Sequence, residues 1–378
     1  MIRHSFLFLF GFILLSRAMF GQNDANKVLN QFIEIKPHSG IPIIYSDSLT
    51  STLNQPFGAI DFRWGVQTNG KKIQDQFLGF PTYGLGIYHA FLSNPDTLGR
   101  PYALYFFYSG PIFRWKRLSS NYDLAFGVAW NFSKFDPITN NKMDLIGSNI
   151  NAFFNGSVNL RYQLNNRFDF GGSMDFTHFS NGSLNTPNKG MNLRGGNVFL
   201  TYYFNRAGEG AGNFKRTELN YKAFPKMKKY NVISFTTTIG GKATRAKYGT
   251  GPIYFVSSTV ADYFRAYSYI GKYGAGLDLF YDNSISEDYP NQELNTPTSK
   301  YSFIGIHLSH EIVISKASFV AQAGTYLYKG TPAKGWFFFR LNLRYSFTQK
   351  LYFSISLKTA NGLKADYIET GLGYNFKW

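Results

Sequence analysis

The chain has 378 residues with 27 Tyr, 39 Phe, 37 Gly and no Cys, which excludes a disulfide scaffold, a thiol nucleophile and a lipid-modified N-terminal cysteine. Its formal net charge of +17 would ordinarily suggest nucleic acid. In a secreted chain it suits an anionic lipid surface, and lysines that simply solvate loops explain it equally well.

The N-terminus sets the compartment. Arg3 and His4 precede an apolar run from Phe6 to Leu15, closed by Ser16, Arg17, Ala18 and Gly21. A run this short cannot span a bilayer as a helix, which needs about 20 residues. It matches the core of a secretory signal peptide over 1–21, cleaved after Ala18 or Gly21. Its removal leaves a net charge of about +15, because Arg3 and Arg17 depart with it.

From residue 22 onward the recurring signal is alternation with period two. In 121–133, Leu124, Phe126, Val128, Trp130 and Phe132 share one face against Asp123, Gly127 and Asn131. In 149–163, Ile150, Ala152, Phe154, Val158, Leu160 and Tyr162 oppose Asn151, Asn155, Ser157, Asn159 and Arg161. In 336–347, Phe337, Phe339, Leu341, Leu343, Tyr345 and Phe347 oppose Arg340, Asn342 and Arg344. A soluble sandwich also alternates, but it rarely sets arginines between phenylalanines on strands this long. Strands of about 11 to 16 residues suit a tilted membrane crossing.

Short turns are expected at Lys116–Ser120, Leu164–Arg167, Ser315–Ser318 and Thr348–Lys350, with longer polar loops at 92–100, 134–148, 179–191 and 283–298. Barrels of the outer-membrane type keep short turns in the periplasm and long loops outside. On that rule 121–133 and 166–178 run outward, and 149–163 and 192–205 run inward. The closing alternation Ile368, Thr370, Leu372, Tyr374, Phe376, Trp378 ends on an aromatic residue, like the terminal strand of such barrels.

Two echoes point to an internal repeat. Tyr83-Gly-Leu-Gly-Ile returns as Tyr273-Gly-Ala-Gly-Leu, and Asn159-Leu-Arg-Tyr-Gln as Asn342-Leu-Arg-Tyr-Ser. The halves, 22–205 and 230–378, meet at a Gly- and Lys-rich stretch, 206–229, read as a periplasmic linker. The fold expected is all-β, a transmembrane antiparallel outer-membrane barrel of roughly 14–16 strands. One closed barrel is the first reading and two tandem eight-stranded barrels the second.

The chemistry concentrates in Asp175-Phe-Thr-His178-Phe-Ser180-Asn181-Gly182, followed by Pro187-Asn188-Lys189-Gly190-Met191-Asn192. Parity places His178 and Ser180 with Phe168, Phe170, Met174 and Phe176, and Asn192 with Val198, Leu200, Tyr202 and Phe204. All three should face lipid at the outer end of one hairpin, where polar groups are costly without a task. A His two residues from a Ser can take the hydroxyl proton during attack on an ester. A third group should orient the His, and the Asn/Gly-rich bend can supply N–H groups to an oxyanion. On spacing alone His-x-Ser is a weak motif, and a merely structural interfacial pair describes it better.

His178-x-Ser180-Asn181, then Pro187-Asn188-x-Gly190 and a Tyr-x-Phe strand end, resembles the lipid A 3-O-deacylases of the PagL family over 175–204. Beyond that stretch the likeness is architectural, and the whole chain looks like the longer Bacteroidetes-type acyloxyacyl hydrolases. The resemblance implies a barrel in the bacterial cell outer membrane that hydrolyses an ester-linked acyl chain of lipid A on its outer surface, without metal or other cofactor. Lipopolysaccharide of the outer leaflet is the implied partner, with no role for nucleic acid. It makes His178 the general base and Ser180 the nucleophile, and sets Asn181, Gly182 and Asn188 in the oxyanion region. The family's third member is a Glu 14 residues after the His; here that position is Asn192, which can hold a tautomer but supplies no charge. Asp175 is the nearest carboxylate, and its parity sends it to the lumen. The second half's equivalent hairpin, Lys358-Thr-Ala-Asn-Gly362, contains neither His nor Ser.

Other motifs are absent or bland. There is no G-x-S-x-G elbow, Walker loop or H-E-x-x-H, since His310-Glu311 lacks a second His. His307 and His310 have opposite parity, which argues against a shared metal, and His38 and His89 have no evident partner. The competing function is a non-catalytic barrel, either an inactive relic or a porin-like channel lined by Arg161, Arg340 and Arg344.

Overall fold

The computed structural model describes residues 30–43, 46, 49, 55–68, 72–204, 206, 224–244, 249, 251–288, 301–330, 335–360 and 364–378. Residues 1–21, read above as a signal peptide, and most of 206–229, read as a linker, lie outside them. Two compact units divide the chain: Met1–Asn181 with Asn188–Phe224, and Gly182–Pro187 with Pro225–Trp378.

The first unit is a closed antiparallel barrel of eight strands: β1 (Asn30–Ile43), β2 (Phe57–Gln67), β3 (Thr82–Phe91), β4 (Tyr102–Trp115), β5 (Leu118–Trp130), β6 (Asn151–Gln163), β7 (Phe168–Ser180) and β8 (Met191–Tyr203). The second is another: β9 (Asn231–Ala243), β10 (Ile253–Ala266), β11 (Gly271–Asp282), β12 (Ser302–Ile314), β13 (Ala317–Lys329), β14 (Phe337–Ser346), β15 (Leu351–Ala360) and β16 (Lys364–Lys377). The total matches the expected strand number, but the single large barrel is corrected to the tandem pair. The reason is closure: β8 returns to β1, with Phe32 opposite Tyr203, and β16 returns to β9, with Phe376 opposite Ile233. At the first seam a Cβ on Gly40 would stand 2.2 Å from the Arg194 carbonyl oxygen, so only glycine lets these strands meet.

The alternation sorts the side chains as expected. On β7, Asp169, Asp175 and Thr177 are buried inside, while Phe170, Met174 and Phe176 face outward. Phe132 departs. Asn131 takes a positive φ of 69° directly after β5, so Phe132 leaves the outward set and buries its ring edge-on against Phe179, 5.2 Å between centroids.

Eight strands enclose a space that side chains can just fill, and here charged ones fill it. In the first barrel Arg63 reaches Asp123 at 2.8 Å and Asp61 at 3.2 Å, and Arg161 reaches Glu34 at 2.6 Å. In the second, Arg340 pairs with Asp278 at 2.7 Å and Arg344 with Asp262 at 3.0 Å. His307 stands between Asp278 and Asp262, at 2.6 and 2.7 Å from its two ring nitrogens. Buried charges persist only when paired and hydrogen-bonded. The arginines that the channel alternative would set along a lumen, Arg161, Arg340 and Arg344, are engaged in ion pairs.

Both sequence echoes fall on strands of the same rank. The first joins β3 and β11, each third in its barrel, and the second joins β6 and β14, each sixth.

Candidate active site

β7 and β8 build the site at the long-loop end of the first barrel. His178 and Asn192 are direct cross-strand partners, so their side chains leave the sheet on one face. Ser180 follows on that face two residues along β7. The intervening residues fix this orientation from the other side. Phe179 is fully buried beneath them, packed on Phe153 at 5.6 Å, and Met191 and Leu193 bury on either side of Asn192.

The three polar groups form a line. The Asn192 Oδ1 atom lies 2.5 Å from His178 Nδ1, and the Ser180 Oγ atom lies 3.0 Å from His178 Nε2. A carbonyl oxygen only accepts, so Nδ1 carries the ring hydrogen and Nε2 keeps its lone pair. That tautomer accepts the Ser180 hydroxyl hydrogen, which is the arrangement a general base needs before attack. On β6, Phe154 stands opposite His178 and Ala152 opposite Ser180.

The loop residues divide. The Asn181 backbone N–H donates to Asn188 Oδ1 at 3.0 Å, and its side-chain amide donates to Ser148 Oγ at 3.1 Å. Both residues therefore brace the bend beyond Ser180, and the Asn181 N–H is already engaged. Gly182 follows with a positive φ of 61°, a conformation natural to glycine. Asp175 lies in the lumen as parity required, bonded to His38 Nδ1 at 2.9 Å and accepting from the Asn197 amide at 2.7 Å. His38 thus has a partner that sequence did not reveal. His89 stacks on Tyr102 at 3.8 Å on the outer face, away from these groups.

Two supporting residues escaped the sequence reading. Gly190 adopts φ 79°, and a Cβ there would stand 2.7 Å from His178 Cε1. Its backbone thus forms the wall against which the imidazole rests. The Gly190 N–H donates to the Leu145 carbonyl at 3.0 Å, and Lys189 pairs with Asp144 at 2.5 Å. The loop between β5 and β6, anchored by buried Met143, Leu145 and Ile146, therefore holds Gly190 from behind and Asn181 through Ser148. Gly190 entered the sequence analysis only as part of Pro187-Asn188-x-Gly190, without its contact with the ring.

The corresponding hairpin of the second barrel carries no such line. On β15, Lys358 points inward to Asp366 at 2.9 Å and Thr359 is buried. Asn361 and Gly362 lie outside the described residues. Among the described residues no group of three or more His, Cys, Asp or Glu could hold a metal ion.

The comparisons with known proteins divide along the same halves. Residues 58–201 match the model for lipid A 3-O-deacylase (PagL), and residues 228–378 match that for the acyloxyacyl hydrolase C-terminal domain. No curated protein matches. Among solved structures, the outer membrane enzyme PagL is 17% identical over 44% of this chain and 97% of its own, with a TM-score of 0.29. An outer membrane channel from Pseudomonas putida F1 is 11% identical over 94% and 99%, with a TM-score of 0.19. The alcaligin outer membrane receptor FauA from Bordetella pertussis is 10% identical over 93% and 77%, with a TM-score of 0.23. Overlays this loose carry no argument; the two family matches do. With one model on each barrel, the first barrel belongs to the lipid A 3-O-deacylase (PagL) family and the second to that of the acyloxyacyl hydrolase C-terminal domain.

Proposed function

We propose that the protein is an outer-membrane esterase that removes an ester-linked acyl chain from lipid A by acyl transfer through Ser180 and His178. The observation that carries this reading is the imidazole held between Asn192 Oδ1 and Ser180 Oγ on the lipid-facing side of a hairpin. A lipid lying along the barrel brings its ester carbonyl to Ser180 without leaving the outer leaflet. Ser180 Oγ attacks the carbonyl carbon while His178 Nε2 takes its proton. Collapse of the tetrahedral intermediate breaks the bond to the sugar oxygen, which leaves with the proton from Nε2. Water then attacks the acyl-serine, His178 again taking and returning a proton, and the fatty acid departs. The oxyanion falls to N–H groups of the bend at Asn181 and Gly182, braced by Asn188; because the Asn181 N–H already serves Asn188, the Gly182 N–H is the stronger candidate.

The channel alternative has nothing comparable in its favour, since paired charges fill each lumen. Mass spectrometry of lipid A from cells expressing the native chain, Ser180→Ala or His178→Ala tests the proposal. The native chain should shift lipid A down by one acyl mass, and neither variant should. Lipid A unchanged by the native chain, or shifted equally by Ser180→Ala, would overturn it. All three chains should show the same heat-modifiable migration in the outer-membrane fraction.

A further inference from the structure

One charge in the first barrel is out of place. Glu34, Lys36, Asp61, Arg63, Asp123, Arg161, Asp169 and Asp175 all turn inward on their strands, and Arg114 is held by the carbonyls of Gly79 and Phe80. Arg194 alone, among the Lys, Arg, Asp and Glu residues of β1 to β8, sits at an outward position, and it is exposed. Across the strands it faces Phe176 on β7 and Ile41 on β1. Its guanidinium meets no carboxylate, carbonyl or aromatic ring among the described residues. An ionisable residue on a lipid-facing surface is costly and marks function by default.

Its position supplies the reason. Arg194 lies two residues beyond Asn192 on the same face, about 7 Å farther along β8 at the usual rise of a strand. β8 runs away from the long-loop end, so Arg194 is set deeper than Asn192. A long cationic side chain at such a depth turns its head back toward the polar layer. Asn192 and its cross-strand partner His178 lie on that side of Arg194 along the same face. The third member of the site is an amide, so no carboxylate there neutralises the approaching guanidinium. We propose that Arg194 is the anion anchor of the site and takes a phosphate group carried by the acylated lipid. A guanidinium offers the paired donors that a phosphate accepts two at a time. In an ester-linked membrane lipid the phosphate lies in the polar layer just above the acyl esters, within the sweep of such a side chain. This assignment rests on the esterase reading, and it makes Arg194 a residue that selects the substrate and takes no part in bond breaking.

The test uses the full chain in neutral detergent micelles and one acylated disaccharide lipid in two forms, phosphorylated and dephosphorylated. The native protein should show a KM roughly tenfold lower for the phosphorylated form, the effect of one charge-assisted pair. Arg194→Gln should bring the two forms to parity, and Arg194→Lys should restore part of the preference. A preference that survives in Arg194→Gln overturns the assignment, as does its absence in the native protein. Native mass spectrometry reads binding without hydrolysis. Ser180→Ala should retain the phosphorylated lipid over the neutral one, and Ser180→Ala with Arg194→Gln should retain both alike. This arm holds even if no lipid is hydrolysed, so failure of the esterase reading is seen separately. A third arm offers inorganic phosphate alone. Binding of the free ion as tight as that of the lipid would overturn a headgroup role.

Discussion

Asn192 offers the sharpest test of the site, because its substitution by Glu should accelerate the enzyme. In the ground state Asn192 Oδ1 already holds His178 Nδ1 at 2.5 Å and sets the tautomer. What an amide lacks is charge, which matters only once His178 has taken the Ser180 proton. A carboxylate at that place would stand about 4 Å from the centre of the new imidazolium, an attraction of about 4 kcal/mol at an effective dielectric constant near 20. The side chain is only partly buried, so we halve this to about 2 kcal/mol. At about 1.4 kcal/mol per decade of rate, kcat should rise roughly 30-fold in Asn192→Glu. Asn192→Ala removes one hydrogen bond and the tautomer preference, a loss of about 1 kcal/mol and roughly fivefold in rate. The assay is turnover of acylated lipid A by the three purified chains in the same micelles. The order should be Glu, then Asn, then Ala. Three equal rates would refute the orienting role of Asn192, and a Glu variant slower than the Ala variant would refute the electrostatic argument.

Two further substitutions probe the supports. Gly190→Ala places a Cβ 2.7 Å from His178 Cε1 at a left-handed backbone angle; it should lower kcat at least about tenfold by pushing the ring off Ser180, with heat-modifiable migration retained. Asp262→Asn strips one carboxylate from His307 and from Arg344. The uncompensated charge should destabilise the second barrel by about 3–5 kcal/mol, read as an earlier unfolding transition in denaturant, while Ser180 chemistry in the first barrel continues.

Much of the architecture was legible because a strand's two faces are written in alternate residues. Parity alone put His178, Ser180 and Asn192 on one surface and Asp175 on the other, and the structure bonds the first three in a line. Closure was not legible in that way. That β8 meets β1 is a contact between Tyr203 and Phe32 at opposite ends of the half, and alternation is silent on partners so distant. The repeats carried a hint, since their members hold equal rank in two barrels. Phe132 escaped because one left-handed residue, Asn131, ended the period. The props of the site, Ser148 and Gly190, escaped because they act through a folded loop whose path no local pattern encodes.

The two faces of β7 also bear on how such a protein can evolve. Asp175 helps to fill the interior, and His178, three residues on, belongs to the exterior. An odd number of residues inserted or deleted between them would put both on one face. A carboxylate would then turn toward lipid, or the imidazole would be sealed inside, far from any ester. Either stability or chemistry would be lost in one event, and no later point substitution would restore the parity. Variation in length is therefore confined to the connections, while β7 is free to change its residues only in place. Across descendants of this chain, the spacing from Asp169 to Ser180 should outlast the identity of every residue between them that touches only lipid.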